Sequence, residues 1–496
     1  MLPTVRAFIV AGFVSFVSNW QFGYQITYVN TASEDFFDLY KHALELNETV
    51  TVVTDWAQKW SLVVSSFYPG TFLGFVAVPV LVNKIGVKNG MFYSSFPAVI
   101  GCCLMIFVQN FVLISPTCFL AVLMFGRFLT GIQSGCSLCL LPLFYHETSD
   151  KEHREFLVAL QQVFQAVATF VGFLCGSNLI FSTGYTKVVW LQIIGLFPSA
   201  LGLIFFFWSP KTPKVIIESS KSKSYDPALY KSAQFYQGSD ADLCIFGLEA
   251  EVASERLKIS DQKYDNKILK SDIKGGILGF IAGISFGFTG DDLVDSYSTE
   301  ILYNHSHGPV AAVTDIALLM GLILIGSSVV GAFLLDHYGN RIMLIYGLIG
   351  TAFANVLSST GSFLGSWMLT ASGMILTKCF IGLGAGAPAW FLSSELVSQR
   401  NASLAQTIST GSLLVVVGLL TSSFLSVDLL IPNWSLMLMT SVPASICALI
   451  LYLFLPETKG IRADQVNPLL NDKFFSGLKS PFVRSYGSIS TSRLSQ

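Results

Sequence analysis

Charge is scarce in this chain. Asp, Glu, Lys and Arg make up 12% of its 496 residues, about half the share of a soluble domain. A solvated surface cannot be built around most of it. Other absences narrow the class further. The net charge is −2, with no basic patch interleaved with aromatics, so nothing points to nucleic acid. There is no glycine-rich phosphate loop, and so no sign of ATP. The nine cysteines show no Cys-x-x-Cys or Cys/His spacing in a polar segment, and Cys102, Cys103, Cys136, Cys139, Cys175 and Cys379 lie inside apolar runs. Neither disulfides, a metal site nor a cofactor is expected. The His and Ser residues of the polar segments form no triad-like setting, so an enzyme is not expected. A cleavable signal is also missing: the apolar run after Arg6 is too long and reaches Tyr28 with no small-residue cleavage site.

What is present is apolar, at 52% hydrophobic residues with 41 Phe. Twelve stretches reach the roughly 20 residues a spanning helix needs: 8–28, 60–82, 91–112, 117–145, 156–182, 186–208, 275–303, 313–335, 342–361, 366–395, 406–427 and 435–455. The expected fold is all-α and integral to a membrane, with six helices in 1–208, a polar linker with short helices at 209–274, six more helices in 275–455, and a Ser-rich, disordered tail at 456–496. Lys and Arg concentrate in the central segment, the short odd-numbered turns and the tail, which predicts both termini in the cytoplasm. The sequons at Asn47 and Asn304 then fall outside and are glycosylation candidates, whereas the one at Asn401 falls inside.

The chain also reads as one unit written twice. Arg127, Gly131 and Gly135 return as Lys378, Gly382 and Gly386, with identical spacing. Glu147 and Arg154 return as Glu395 and Arg400, to within a few residues. Asn83, Gly86 and Lys88 return as Asp336, Gly339 and Arg341. Many transporters are duplicated in this way, with the site between the repeats. At membrane depth, Asp291, Asp292 and Asp295 crowd about one helical turn. Carboxylates there are costly and are usually paired or functional. Lys378 is the expected partner of Asp291 and Asp295, and Arg127, its echo in the first half, is expected to belong to the same buried charge group. The glycines are expected to permit close helix packing. Gly384, Gly386 and Pro388 mark a break in the tenth helix, a candidate hinge.

These residues resemble the sugar porter family of the major facilitator superfamily, and within it the facilitative glucose transporters. Six motifs carry the likeness, in order: FGYQITYVN (22–30), GRFLTGIQSG, Pro142 to Arg154, SYSTEIL (296–302), APAWFLSSELVSQR (387–400) and PETKG (456–460). The resemblance implies two six-helix bundles, a central site open alternately to each side, and a cytoplasmic helical insert. It also implies a charge network closing the inner gate, carried here onto Lys88, Glu147, Arg154, Asp336, Arg341, Glu395, Arg400 and Glu457. Its substrate positions fall on Gln25, Gln162, Trp390 and, where the family has an asparagine, Asp292; Gln165, three residues on from Gln162 and near the same helix face, is a further candidate. The likeness breaks at PKTPK (210–214), where Lys211 replaces an acid. It breaks again in the site, where the resemblance puts a glutamine pair on Phe286 and Gly287, an asparagine on Asp292, an acid on Gly382, and an Asn-Trp pair near Leu413 and Leu414. Proton-coupled relatives carry Asp at the position of Gln25, which cannot titrate.

The reading is therefore a transporter of a small polar solute, driven by the solute gradient and placed in the plasma membrane by its family and sequons. A hexose leads. A polyol or organic acid, proton coupling, and a sensor that binds without transporting are the alternatives.

Overall fold

The computed structural model describes residues 4–46, 56–112, 114–149, 151–181, 184–219, 226–261, 270–304, 309–397 and 402–456, which are helical almost throughout. Among the described residues eleven segments are long and apolar enough to cross a membrane: the first helix (Val5–Thr31), second (Trp56–Ile85), third (Val87–Ile106), fourth (Pro116–Thr148), sixth (Tyr185–Ser219), seventh (Asp272–Tyr303), eighth (Ala312–Leu335), ninth (Asn340–Phe363), tenth (Trp367–Ala385), eleventh (Leu404–Leu430) and twelfth (Met437–Phe454). Twelve are expected from the sequence. The fifth helix, Lys151–Gly176, opens with Lys151, Glu152, His153, Arg154 and Glu155, so its apolar part is the shorter Leu160–Gly176.

Helices dominate because hydrocarbon offers no partner to a free backbone group. Their ends use ordinary caps. Ser115 Oγ accepts the amide of Cys118 at 3.1 Å, and Pro116 opens the fourth helix. The turn between the second and third helices is made by Gly86 at φ +78°, and that between the eighth and ninth by Gly339 at φ +88°. These are the paired glycines of the two echoed motifs, and only glycine adopts that backbone without strain.

Small residues set the helix spacing. A Cβ on Gly131 would lie 2.2 Å from the Phe67 carbonyl oxygen, and one on Gly135 would lie 1.8 Å from that of Thr71. The second and fourth helices therefore touch backbone to backbone. In the second half, a Cβ on Gly331 would lie 2.1 Å from the Gly382 carbonyl oxygen. The eighth and tenth helices meet there in the same way.

Two spans are interrupted. The seventh consists of Lys270–Gly287 and Asp291–Asn304. The Thr289 carbonyl, released by the break, accepts from Asn355 Nδ2 of the ninth helix at 2.7 Å. The tenth runs Trp367–Phe380, passes through a π-helical turn at Ile381–Ala385, and resumes as Gly386–Glu395. Pro388 has no amide to return to residue 384, which accounts for the widened turn beside it.

Between the sixth and seventh helices lie Pro213–Ser219, Pro227–Gln237 and Ala241–Asp261, sharing a small core of Ile217, Leu229, Cys244, Leu248 and Val252. They hold to the first six helices. Gln237 Nε2 donates to the Thr148 carbonyl at 2.7 Å, and Thr4 Oγ1 donates to the Gln237 carbonyl at 2.6 Å. The opposite, distal end is covered in part by the helix Ser33–Leu46. Phe36, Tyr40 and Ala43 are buried there. Asp35 accepts from Lys187 Nζ at 2.7 Å in a buried ion pair. The signal was legible, since residues 36, 40 and 43 share one helix face. Asn47 lies outside the described residues, as does the side chain of Asn304.

The two halves meet along their length. At the distal end Asn30 Nδ2 donates to Ser298 Oγ at 2.7 Å, and Asn30 Oδ1 accepts from Thr299 Oγ1 at 2.6 Å and Thr299 N at 3.1 Å. Nearby, Ser61 Oγ of the second helix donates to the Ser422 carbonyl of the eleventh at 3.0 Å.

Candidate functional site

Midway along that seam, residues from five helices converge. Phe22 comes from the first, Tyr68 from the second, Phe286 and Asp292 from the seventh, Trp390 from the tenth, and Leu413, Leu414 and Val417 from the eleventh. They close tightly enough to leave no room for a water molecule. Phe22 meets the Trp390 ring edge-on, with centroids 6.2 Å apart at 84°, and the Phe286 ring lies 5.6 Å from that of Trp390 at 54°. The polar element of this lining is a bond across the seam: Tyr68 Oη donates to Asp292 Oδ1 at 3.2 Å. Phe286, where the family resemblance places a glutamine, and Leu413 and Leu414, near which it places an Asn-Trp pair, all line the space with apolar surface.

Behind Asp292 stands an acid–base triad. Lys378 Nζ is fully buried, in contact with Asp291 Oδ1, 2.5 Å from Asp295 Oδ1, and within 3.2 Å of the Asp291 carbonyl. The break before Asp291 makes this possible, because it starts a new helix with its carboxylates on the first turn, where the helix dipole favours negative charge.

Arg127 does not join them, contrary to the sequence expectation. Its guanidinium donates to the carbonyls of Val63 (2.9 Å), Gln25 (2.9 Å) and Val64 (3.1 Å). The physical reason is supply. The second helix leaves carbonyls within reach near its Ser66 kink, and a planar five-donor group suits several acceptors at once. The echo of Arg127 and Lys378 is thus one of position and burial, with different partners.

The amides also fall differently from the expectation. Gln25 turns into the first half, where its Nε2 donates to Gln21 Oε1 at 3.0 Å. Gln21 in turn bonds the Gly195 carbonyl (2.6 Å) and Ser199 Oγ (2.9 Å), and Ser199 bonds Gln133 (2.8 Å). That buried network competes successfully for Gln25, which does not line the central space. Gln162 does face the other half, with Nε2 3.6 Å from where a Cβ on Gly386 would stand. Gln165 is half-buried beside the first helix and is also absent from the lining. Of the five expected substrate positions, Asp292 and Trp390 come together. Phe22 and Tyr68 were missed as lining residues, since a single aromatic in an apolar helix carries no sign of which way it faces.

Among the expected gate residues, Lys88 Nζ donates to the Ser209 carbonyl. Glu147 Oε2 accepts from Thr212 Oγ1 at 2.6 Å, and Lys214 pairs with Glu251 at 3.3 Å. The Lys88 contact joins the third helix to the end of the sixth, the Glu147 contact ties the first half to the start of the insert, and the Lys214–Glu251 pair lies within the insert. Arg341 Nη2 donates to the Tyr452 carbonyl of the twelfth helix at 3.0 Å. The side chains of Arg154, Asp336 and Glu395, and residues Arg400 and Glu457, lie outside the described residues.

Comparison with known proteins agrees with this architecture. The chain is similar to the dog solute carrier family 2 facilitated glucose transporter member 3, at 23% identity over 78% of this chain and 77% of the relative. It is similar to the probable polyol transporter 4 of Arabidopsis thaliana, at 24% over 70% of this chain and 66% of that protein. Its fold matches the inward-open xylose transporter XylE of E. coli with a TM-score of 0.73 at 15% identity, covering 93% of this chain and 99% of that one. The family model of sugar (and other) transporters matches residues 9–470, most of the chain, and so this multi-pass membrane protein belongs to the sugar (and other) transporter family.

Proposed function

We propose that the protein carries a hexose across the plasma membrane by alternating access, with both termini in the cytoplasm. The observation that carries this reading is the closed aromatic space on the seam between the two six-helix halves, floored by Trp390 and crossed by the Tyr68–Asp292 bond. Rocking the halves apart on one side or the other would open that space to water. The rings of Phe22, Phe286 and Trp390 offer flat apolar walls to the C–H faces of a sugar ring, and Tyr68 and Asp292 offer it hydrogen bonds. Gln25 is occupied by its own network and cannot titrate, which supports transport down the solute gradient alone.

A second reading has its own observation. The apolar residues Phe286, Leu413 and Leu414 leave few partners for a solute with many hydroxyls, and unpaired hydroxyls are heavily penalised on burial. A solute with fewer of them to satisfy, such as a short polyol or an organic acid, fits such a lining.

Counterflow into proteoliposomes separates these readings. Labelled glucose is expected to exchange, with fructose and a polyol as competitors. Competition by the polyol with no hexose exchange would favour the second reading, and binding without exchange would favour a sensor. Trp390→Ala is expected to reduce hexose exchange about tenfold, the loss of roughly 1.4 kcal/mol of aromatic contact. An unchanged rate would remove Trp390 from the site.

A further inference from the structure

The enclosure around the seventh-helix break does not balance electrically. Asp291, Asp292 and Asp295 are 8%, 8% and 6% exposed. Among the described residues, one cation touches them and a second stands by the tyrosines around them. Lys378, from the tenth helix, touches Asp291 and Asp295. Arg127, from the fourth, is bonded to three carbonyls and lies within electrostatic reach of Tyr68 and Tyr297. Three negative charges against two positive leave one in excess. Tyr68 from the second helix and Tyr297 on the seventh itself are neutral phenols, the latter donating to the Thr421 carbonyl of the eleventh at 2.9 Å. The first helix presents Phe22 to this space, and the eleventh presents Leu413, Leu414 and Val417. Glu300, farther towards the distal end, also acts on Tyr297 and adds no positive charge.

The carboxylate without a cation in contact is Asp292, the one that lines the central space. Its partner is the Tyr68 hydroxyl, which belongs to the other half of the protein. One turn on, Ser296 lies on the same helix face. It is 2% exposed, and its hydroxyl has no hydrogen-bond partner among the described residues. A closed pathway that seals this face from water would leave a bare carboxylate beside an unused hydroxyl, a costly arrangement in a low-dielectric setting.

We infer that Asp292 takes up a proton when the pathway closes and releases it when the two halves part, so that protonation of this one carboxyl controls how readily the carrier occludes. A neutral Asp292 still accepts from Tyr68, so the bond seen across the seam survives protonation. Opening separates Tyr68 from Asp292, admits water, and lets the carboxylate ionise. The requirement holds for loaded and empty carriers alike. A proton therefore returns with the empty carrier, and a pH gradient does not concentrate solute. The sign follows: closure is favoured in acid and is lost as pH rises through the titration of Asp292. Beyond that point each further pH unit costs about tenfold in the closed population.

The test needs no solute. Spin labels at Leu179 and Leu430, exposed positions at the distal ends of the two halves, report the distal separation of the full-length protein as pH is raised. The closed population is expected to fall in the wild type and to stay level in Asp292→Asn, which keeps a hydrogen-bonding group but cannot titrate. Tyr68→Phe is expected to keep the pH dependence, since Asp292 is still buried on closure. A wild-type population that ignores pH overturns the inference without any variant. Retention of the full slope in Asp292→Asn overturns it as well, with Asp292→Ser taking its place if the Asn variant does not fold. Hexose exchange at equal pH on both sides should follow the same profile. Absence of exchange at every pH would count against the hexose reading and leave the distance result to decide this one.

Discussion

Lys378→Met is expected to destabilise the protein by about 3–5 kcal/mol, the usual consequence of leaving a buried charge without its partner. The lysine sits with its ammonium against Asp291 and Asp295, entirely out of solvent. Without it two carboxylates share one turn of helix in a membrane interior. The measurement is the thermal midpoint of the purified protein in detergent, read by the loss of its monodisperse peak. The triple variant Lys378→Met, Asp291→Asn, Asp295→Asn is expected to recover most of the loss, because an intact buried ion pair contributes little net stability over neutral groups. If Lys378→Met alone left stability and transport untouched, the triad would have no structural role.

An effect of similar size is expected at Gly135. A leucine there places its Cβ 1.8 Å from the Thr71 carbonyl oxygen and 2.8 Å from the Phe75 amide. Both neighbours are backbone, so no side-chain rotation relieves the clash, and the second and fourth helices must separate along their contact. Overpacking typically costs about 1–3 kcal/mol, and this site should lie above that range. Little or no folded protein is expected. Gly276→Ala is the control: a Cβ there meets nothing within 4 Å, and alanine in a helix interior is favoured over glycine by up to about 1 kcal/mol. Equal yields from the two variants would show that the glycines do not set the helix spacing.

Much of this architecture is written in the sequence, because a membrane enforces period and length. The spans, the two glycine turns at Gly86 and Gly339, and the crowding of Asp291, Asp292, Asp295 and Lys378 all follow from local residue order. What could not be read was rotation about the helix axis. Gln25 and Gln21 are one turn apart, and the sequence has no way of saying that a ring of amides and Ser199 inside the first half captures both. Arg127 looks like half of an ion pair until the carbonyls beside Ser66 are placed next to it. The aromatic walls depend on Phe22 and Tyr68 turning to the same seam as Trp390, which is a property of three helices packed together. The helix Ser33–Leu46 was legible in principle, from its apolar face, and was obscured by the acidic residues between.

On the proposed mechanism, solute crosses only as the two halves alternate between closed and open at each end. A disulfide between Asn30→Cys and Ser298→Cys tests it directly, since the two side chains meet at 2.7 Å across the distal seam and the native cysteines are all unpaired. The oxidised protein, with the crosslink confirmed by its shift in gel mobility after cleavage of the insert, is expected to lose hexose counterflow and to regain it on reduction. Undiminished counterflow through the fully crosslinked protein would contradict alternating access across this seam.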